Sequence, residues 1–175
     1  MNIVVATKEQ LSIVRDLALK IWPVTYTNVI SAGQIEYMLD MMYSLESLEN
    51  QLQSNKVLLL VEEENHFIGF ASYELDYKDE NQKNQENLKP IQIKTRLHKL
   101  YVLPETQGKG IGKQLIDCVS EIARTNHNSA VDLTVNKNNK AKDFYLKNGF
   151  EITEEVVFDI GNGYVMDDYI MVKKL

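Results

Sequence analysis

Between Tyr101 and Leu115 the chain reads Tyr-Val-Leu-Pro-Glu-Thr-Gln-Gly-Lys-Gly-Ile-Gly-Lys-Gln-Leu, with glycines at 108, 110 and 112 directly ahead of an amphipathic run. A glycine has no side chain, so a ligand oxygen can approach the backbone N–H groups there. At the positive end of a following helix these groups suit a phosphate or pyrophosphate. The spacing excludes two familiar phosphate loops. The dinucleotide fingerprint needs its third glycine one residue later, and the P-loop needs Ser or Thr where Gln114 follows Gly112-Lys113. On glycine content alone, a simple tight turn explains the stretch equally well.

The elements that must hold this loop can be read from periodicity. Ile111, Leu115, Val119 and Ile122 form one apolar stripe, which predicts a helix over 111–126. Ile91 to Leu103 reads as the strand leading in. Downstream, Val131, Leu133 and Val135 alternate with Asp132 and Thr134 as in a half-buried strand over 130–135. A helix over 139–148 follows, then a hairpin of 150–160 and 164–172 through Gly161-Asn162-Gly163. Upstream, Ile3 to Val5 is a short strand, and a helix capped by Thr7 should run to Lys20, with Pro23 ending it. Ser31 to Gln53 holds one or two helices with a break near Tyr43-Ser44. Val57 to Glu62 and Phe67 to Tyr77 form a hairpin turning at Glu64-Asn65. Lys78 to Pro90 is too polar to pack and reads as a mobile loop. The order β-α-α-β-β-β-α-β-α-β-β predicts an α/β (α+β) fold, a mixed sheet covered by helices rather than a doubly wound one.

Composition bounds what such a fold can do. The 175 residues are 44% hydrophobic and 25% charged, as expected for one globular domain over 1–175. With 19 Lys plus Arg against 25 Asp plus Glu, the net charge of −6 disfavours a nucleic-acid partner. The longest apolar run, Val57 to Val61, is far below the roughly 20 residues that span a bilayer. Charge arrives at Lys8 and Glu9, too early for a secretory segment, so a cytoplasmic location and no membrane partner are expected. Cys118 is the single cysteine and reads as a small buried thiol on the 111–126 helix; His66, His98 and His127 are isolated, so no metal site is expected.

Gln107-x-x-Gly110-x-Gly112 after Tyr101-Val102-Leu103-Pro104 resembles the acetyl-CoA loop of the GCN5-related N-acetyltransferases (GNAT). Leu133-x-Val135-Asn136-x-x-Asn139-x-x-Ala141-x-x-Phe144-Tyr145-x-x-x-Gly149-Phe150 resembles the second half of that family's cofactor site. Two motifs in order and on the expected elements are far more specific than the glycines alone. The resemblance implies a GNAT-like splayed sheet and acetyl-CoA as cofactor. It implies that Tyr101 and Val102 pair with the pantetheine arm and that the backbone of Gln107, Gly108, Lys109, Gly110, Ile111, Gly112 and Lys113 holds the pyrophosphate. Asn136 and Asn139 would touch the cofactor, Phe144 would flank its thiol end, and Tyr145 would be the acid. A phenol with a pKa near 10 can donate to a departing thiolate of comparable basicity. The alternative for Phe144-Tyr145 is helix core.

An ammonium acceptor must lose a proton before attack. Many members of the family carry a glutamate on the long strand, where this chain has Arg96; His98 is the one nearby side chain that titrates near neutrality, and it is the candidate base beside a water chain. Trp22-Pro23-x-Thr25-Tyr26, Tyr37-Met38-Leu39, Met42-Tyr43-Ser44 and Gly163-Tyr164-x-Met166-Asp167-Asp168-Tyr169-Ile170-Met171 are similar to the spermine/spermidine acetyltransferase branch. That implies a small-molecule amine, a polyamine foremost, held by Trp22, Tyr26 and Asp168 through cation–π contact and ion pairing. Asp167 and Asp168 alternate, so at most one faces the pocket. The expected enzyme is an acyltransferase working by direct attack, since no cysteine or serine nucleophile is placed. A protein amino terminus or lysine is the second acceptor class, and a non-catalytic acyl-CoA sensor is the rival from outside enzymes. Many members pair, which leaves a homodimer as an expectation.

Overall fold

The computed structural model describes residues 1–78 and 93–175. The stretch from Lys78 to Pro90, expected to be a loop, lies outside the described residues apart from Lys78.

Strands β1 (Asn2–Val5), β2 (Lys56–Glu63), β3 (His66–Tyr77), β4 (Lys94–Val102), β5 (Ala130–Asn136), β6 (Glu151–Gly161) and β7 (Tyr164–Lys174) make one mixed sheet in the order β1-β2-β3-β4-β5-β7-β6. Helices α1 (Leu11–Tyr26), α2 (Ala32–Tyr43) and α3 (Leu45–Gln53) cover one face. Helices α4 (Ile111–Thr125) and α5 (Ala141–Lys147) cover the other. The anticipated order of elements therefore holds, with three helices between β1 and β2. Ser31 and Ser44 cap α2 and α3 by accepting from the Gln34 and Ser47 N–H groups at 3.2 and 3.3 Å. The two hairpins turn at residues with positive φ, Glu64 and Asn65 in one and Asn162 and Gly163 in the other. That is the geometry a two-residue turn of the type I′ class requires. No helix among the described residues is long and apolar enough to cross a membrane.

Pro23 does not end the first helix, which runs on to Tyr26. Proline removes one backbone donor, but Trp22 and Tyr26, one turn apart, both pack into the core beneath α1, and their burial offsets that loss. The expected half-buried character of β5 also fails. β5 lies between β4 and β7, and Asp132 is as buried as its apolar neighbours.

The feature that positions the site is the brevity of the β4–β5 pairing. These parallel strands pair only over Lys94–Arg96 with Ala130–Asp132, and beyond that β4 continues to Val102 and β5 to Asn136 without pairing to each other. β5 meanwhile stays paired with β7 to its end, where Asn136 stands opposite Asp168. The sheet thus opens as a wedge. At its apex, the last paired residues carry a buried ion pair, Arg96 Nε to Asp132 Oδ1 at 2.9 Å, and the guanidinium lies 4.6 Å from the Tyr77 ring centroid. Across the wedge, the β6–β7 hairpin is tied to α2 by the Tyr37 hydroxyl on the Ile160 carbonyl at 2.7 Å and by Gln34 Nε2 on the Val165 carbonyl at 2.7 Å.

Removing one partner of such a buried pair leaves the other charge uncompensated. Asp132→Ala should lower the unfolding free energy by about 3–5 kcal/mol in urea titration, whereas the double replacement Arg96→Met with Asp132→Leu should recover most of it.

Candidate active site

The wedge between β4 and β5 opens into a cleft of about 1460 Å³ that runs from the glycine loop, past α5 and the end of β7, to the start of α3. The glycine loop lines it, and its three glycines do different work. Gly108 and Gly110 adopt φ of 81° and 80°, and a Cβ on either would meet nothing within 4 Å. Gly110 is the N-cap of α4, and the Gln114 N–H is the first to bond back, to the Gly110 carbonyl at 3.1 Å. The N–H groups of Ile111, Gly112 and Lys113 therefore have no partner within the helix and stand at its positive end. Gly112 instead permits close packing, since a Cβ there would lie 2.9 Å from Phe144 Cζ. Lys109 and Lys113 turn their side chains to surface carboxylates, Glu63 at 3.8 Å and Asp117 at 2.5 Å, so only their backbone belongs to the loop. Gln107 Nε2 donates to the Val102 carbonyl at 3.3 Å and fixes the loop to β4.

On the opposite wall, Asn136 and Asn139 shape the turn between β5 and α5. The Asn136 side-chain oxygen accepts from the Asn138 N–H at 3.0 Å, and the Asn139 oxygen accepts from the Ala141 N–H at 2.9 Å. Phe144 and Tyr145 follow on α5, with their rings 5.3 Å apart. Tyr145 is buried, lines the cleft, and its hydroxyl has no hydrogen-bond partner among the described residues. Burial, reinforced by Tyr26, raises its phenol well above the ordinary value. It stays protonated at any working pH, yet full transfer to a thiolate is more uphill than for a free phenol; its strength lies in donating a hydrogen bond where negative charge develops.

The aromatic residues form one cluster. Trp22 is buried, and its indole N–H donates to the Tyr43 hydroxyl at 3.2 Å; its ring centroid is 4.5 Å from that of Tyr26 and 5.8 Å from that of Tyr101. Tyr26 and Tyr101 share a hydroxyl hydrogen bond of 2.9 Å. Burial raises the phenols of Tyr26, Tyr43 and Tyr101, so all three are neutral. Trp22, Tyr26 and Tyr101 all line the cleft.

The ambiguity over the two aspartates is resolved by strand register. Asp167 pairs with Lys137 at 2.6 Å on the outside, and Asp168 points inward at 1% exposure. Among the described residues neither Asp168 oxygen completes a well-aligned hydrogen bond, although the Thr134 hydroxyl is close enough to favour the ionised form. Burial first, then Asp167, push its carboxyl up to about 6, against Thr134 and Lys137, which favour the ionised form.

A β-bulge at His98 reshapes the inner end. Ser72 pairs with Lys99 and Tyr73 with Leu97, leaving His98 as the extra residue. Leu97 and Leu100 both pack toward α4, and His98 does not share the face of Leu100 as simple alternation predicts. It points instead to Glu74, whose flanking Tyr73 and Leu75 belong to the α4 side, and its Nε2 lies 3.0 Å from the Glu74 carboxylate. Burial, then Lys56, Lys99 and Arg96, push the imidazole down to about 3, although the Glu74 carboxylate works the other way. His98 is therefore neutral with Nε2 committed. Arg96 is spent on Asp132 and Tyr77 and does not offer a free guanidinium.

Lys99, not singled out from the sequence, lines the same cleft. It is buried, donates to the Gln51 amide oxygen, and stands 5.4 Å from the Tyr43 ring centroid. Burial and Lys56 lower its ammonium to about 8. Nothing local marks it, because the bulge that turns it toward α3 exists only in the pairing with β3.

A carboxyl raised to about 6 costs stability once ionised: its contribution is complete below the unfolded pKa near 4 and is lost as pH climbs through 6. Asp168→Asn should therefore raise the unfolding free energy at pH 7 by about 2–3 kcal/mol and flatten its fall between pH 4 and 7, as read by thermal melts across that range.

Comparison with known proteins agrees with this geometry. The family model described as "Acetyltransferase (GNAT) domain" matches residues 26–166. The chain is 30% identical over 152 residues to a spermidine N(1)-acetyltransferase of Thermoplasma acidophilum, covering 83% of this chain and 85% of that protein. Its fold superposes with a TM-score of 0.75 on a PaiA N-acetyltransferase of Thermoplasma acidophilum in complex with coenzyme A, at 26% identity and full coverage of both chains. It also superposes with a TM-score of 0.78 on a GCN5-related N-acetyltransferase from Rhodopseudomonas palustris, at 19% identity over 99% of this chain and 95% of that one.

Proposed function

The chain belongs to the GNAT acetyltransferase family, and from that premise we propose that it transfers an acetyl group to the primary amine of a small cationic acceptor, a polyamine foremost, by direct attack. The family makes it an acyltransferase with coenzyme A as cofactor. The observation that carries the acceptor class is Asp168, a buried carboxylate with no cationic partner at ion-pair distance among the described residues, on the wall of an aromatic cleft. A buried anion of this kind is stabilised by a ligand cation. The relative that acts on spermidine supports the same class.

The residues present fit the cofactor. Gly108 and Gly110 leave open space over a helix terminus with three N–H groups unpaired within it, which suits a pyrophosphate. The β4 edge beyond Arg96, unpaired toward β5, suits an extended amide-bearing arm laid along it. Asn136 and Asn139 hold the opposite wall, and Phe144, packed on Gly112, closes the space near the reacting end. Acetyl-CoA, when bound, supplies a thioester carbonyl for the amine and leaves as a thiol. Tyr145 donates to the sulfur as it departs; Tyr26 and Tyr101 hold the acceptor's carbon chain over their faces, with Trp22 packed against both as support; Asp168 pairs with the ammonium.

Thiol release from acetyl-CoA, measured over spermidine, spermine, monoamines, amino acids and short peptides, tests this directly. Turnover should favour the polyamines, and Tyr145→Phe should lower kcat roughly 100-fold. Turnover with peptides alone would move the acceptor to a protein, and tight CoA binding with no release from any amine would make the chain a sensor. Gly110→Ala, which forces a side chain into a φ of 80°, should weaken CoA binding about tenfold in calorimetry.

A further inference from the structure

We propose that Asp168 is the proton acceptor of the reaction, taking from the bound ammonium the proton it must lose before its nitrogen can attack. This rests on the acetyltransferase reading above and assigns the step that His98 was expected to perform. Three observations carry it. Asp168 is the only carboxylate among the described residues that lines the cleft. It is fully buried, the Thr134 hydroxyl is the one neutral donor near it, and neither oxygen completes a well-aligned hydrogen bond among the described residues, which leaves acceptor capacity for a ligand N–H. Strand register places it opposite Asn136, at the open end of the wedge and away from the β4 bulge where His98 and Glu74 occupy each other.

The surrounding groups do not compete for that proton. Tyr26 from α1, Tyr101 from β4 and Tyr145 from α5 are all held neutral. Lys137, after β5, is engaged outside by Asp167 and Glu155. Lys99, at the β4 bulge, donates to the Gln51 amide oxygen, and with its ammonium lowered to about 8 it is a cation over the acid and neutral range in which Asp168 titrates. A carboxyl raised to about 6 is ionised at neutral pH and basic enough to take a proton transiently.

The ammonium gives one proton to Asp168, and the freed nitrogen lone pair forms the C–N bond as the C–S bond breaks. The second proton leaves the nitrogen as the amide forms, matched by the one that the sulfur receives from the side of Tyr145. Asp168 returns its proton to solvent.

The test is the pH dependence of kcat and kcat/KM from pH 5 to 10 for the wild type, Asp168→Asn and Asp168→Glu, with acetyl-CoA and spermidine, and with CoA binding measured in parallel. The wild type should show an acid limb near pH 6. Asp168→Asn should bind CoA normally but lose about 100-fold or more in kcat, and its rate should climb tenfold per pH unit toward the amine's own pKa, because only pre-neutral amine reacts. Asp168→Glu should keep an acid limb. The proposal fails if Asp168→Asn raises KM while kcat and the acid limb persist, since Asp168 would then serve as an ion-pair partner alone. A wild type inactive with spermidine and every other amine would overturn the acetyltransferase reading together with it.

Discussion

Two parallel strands that stop pairing after three residues are the constraint on which the molecule's chemistry depends. A sheet normally continues its ladder, and leaving β4 and β5 unpaired exposes backbone groups that must find other partners. The separation starts where Arg96 faces Asp132 across the last paired rung, with a guanidinium and a carboxylate buried together beside the Tyr77 ring. An ion pair is an expensive way to fill a core, and a pair of apolar residues could occupy the same volume. Its position gives that expense a use: it marks the last rung shared by β4 and β5, beyond which β4 keeps only β3 and β5 only β7 as a partner, and so fixes where the opening begins.

The opening is electrically divided. Opposite the end of β5 stands the Asp168 carboxylate, and at the β4 bulge stands the Lys99 ammonium, held by an amide and an aromatic face. These two buried charges differ from Arg96 and Asp132, which neutralise each other. Asp168 and Lys99 each face the shared space. A charged molecule entering this space meets opposite signs at these two groups and so has one favourable direction in which to lie.

The parts of this arrangement that were readable in the sequence are those encoded by neighbours along the chain. The glycine loop, its helix, the Asn136–Tyr145 segment and the Asn162-Gly163 turn are local, and each appears where spacing put it. Register decided the rest. Alternation shows that Asp167 and Asp168 point opposite ways but not which way the core lies; pairing with β5 settles it. One extra residue at His98 turned the histidine away from Leu100 and set Lys99 in the cleft, and no local pattern announces such a bulge. Pro23 was overruled by the burial of Trp22 and Tyr26, and Asp132 entered the core because Arg96, distant in sequence, meets it there. Each exception requires a contact between residues far apart in the chain.

The ties between α2 and the β6–β7 hairpin have a consequence for how the protein is made. Gln34 and Tyr37 emerge from the ribosome long before Val165 and Ile160, the groups they will hold, and Asp168 follows later still. A nascent chain can form the glycine loop and its helix while the last strands are still in the exit tunnel. The wall that carries Asp168 can form only once β7 has emerged, because β7 must insert between β5 and β6. The glycine loop is thus an early product of synthesis and the Asp168 wall a late one, so a chain terminated before β7 would carry the loop and lack that buried carboxylate.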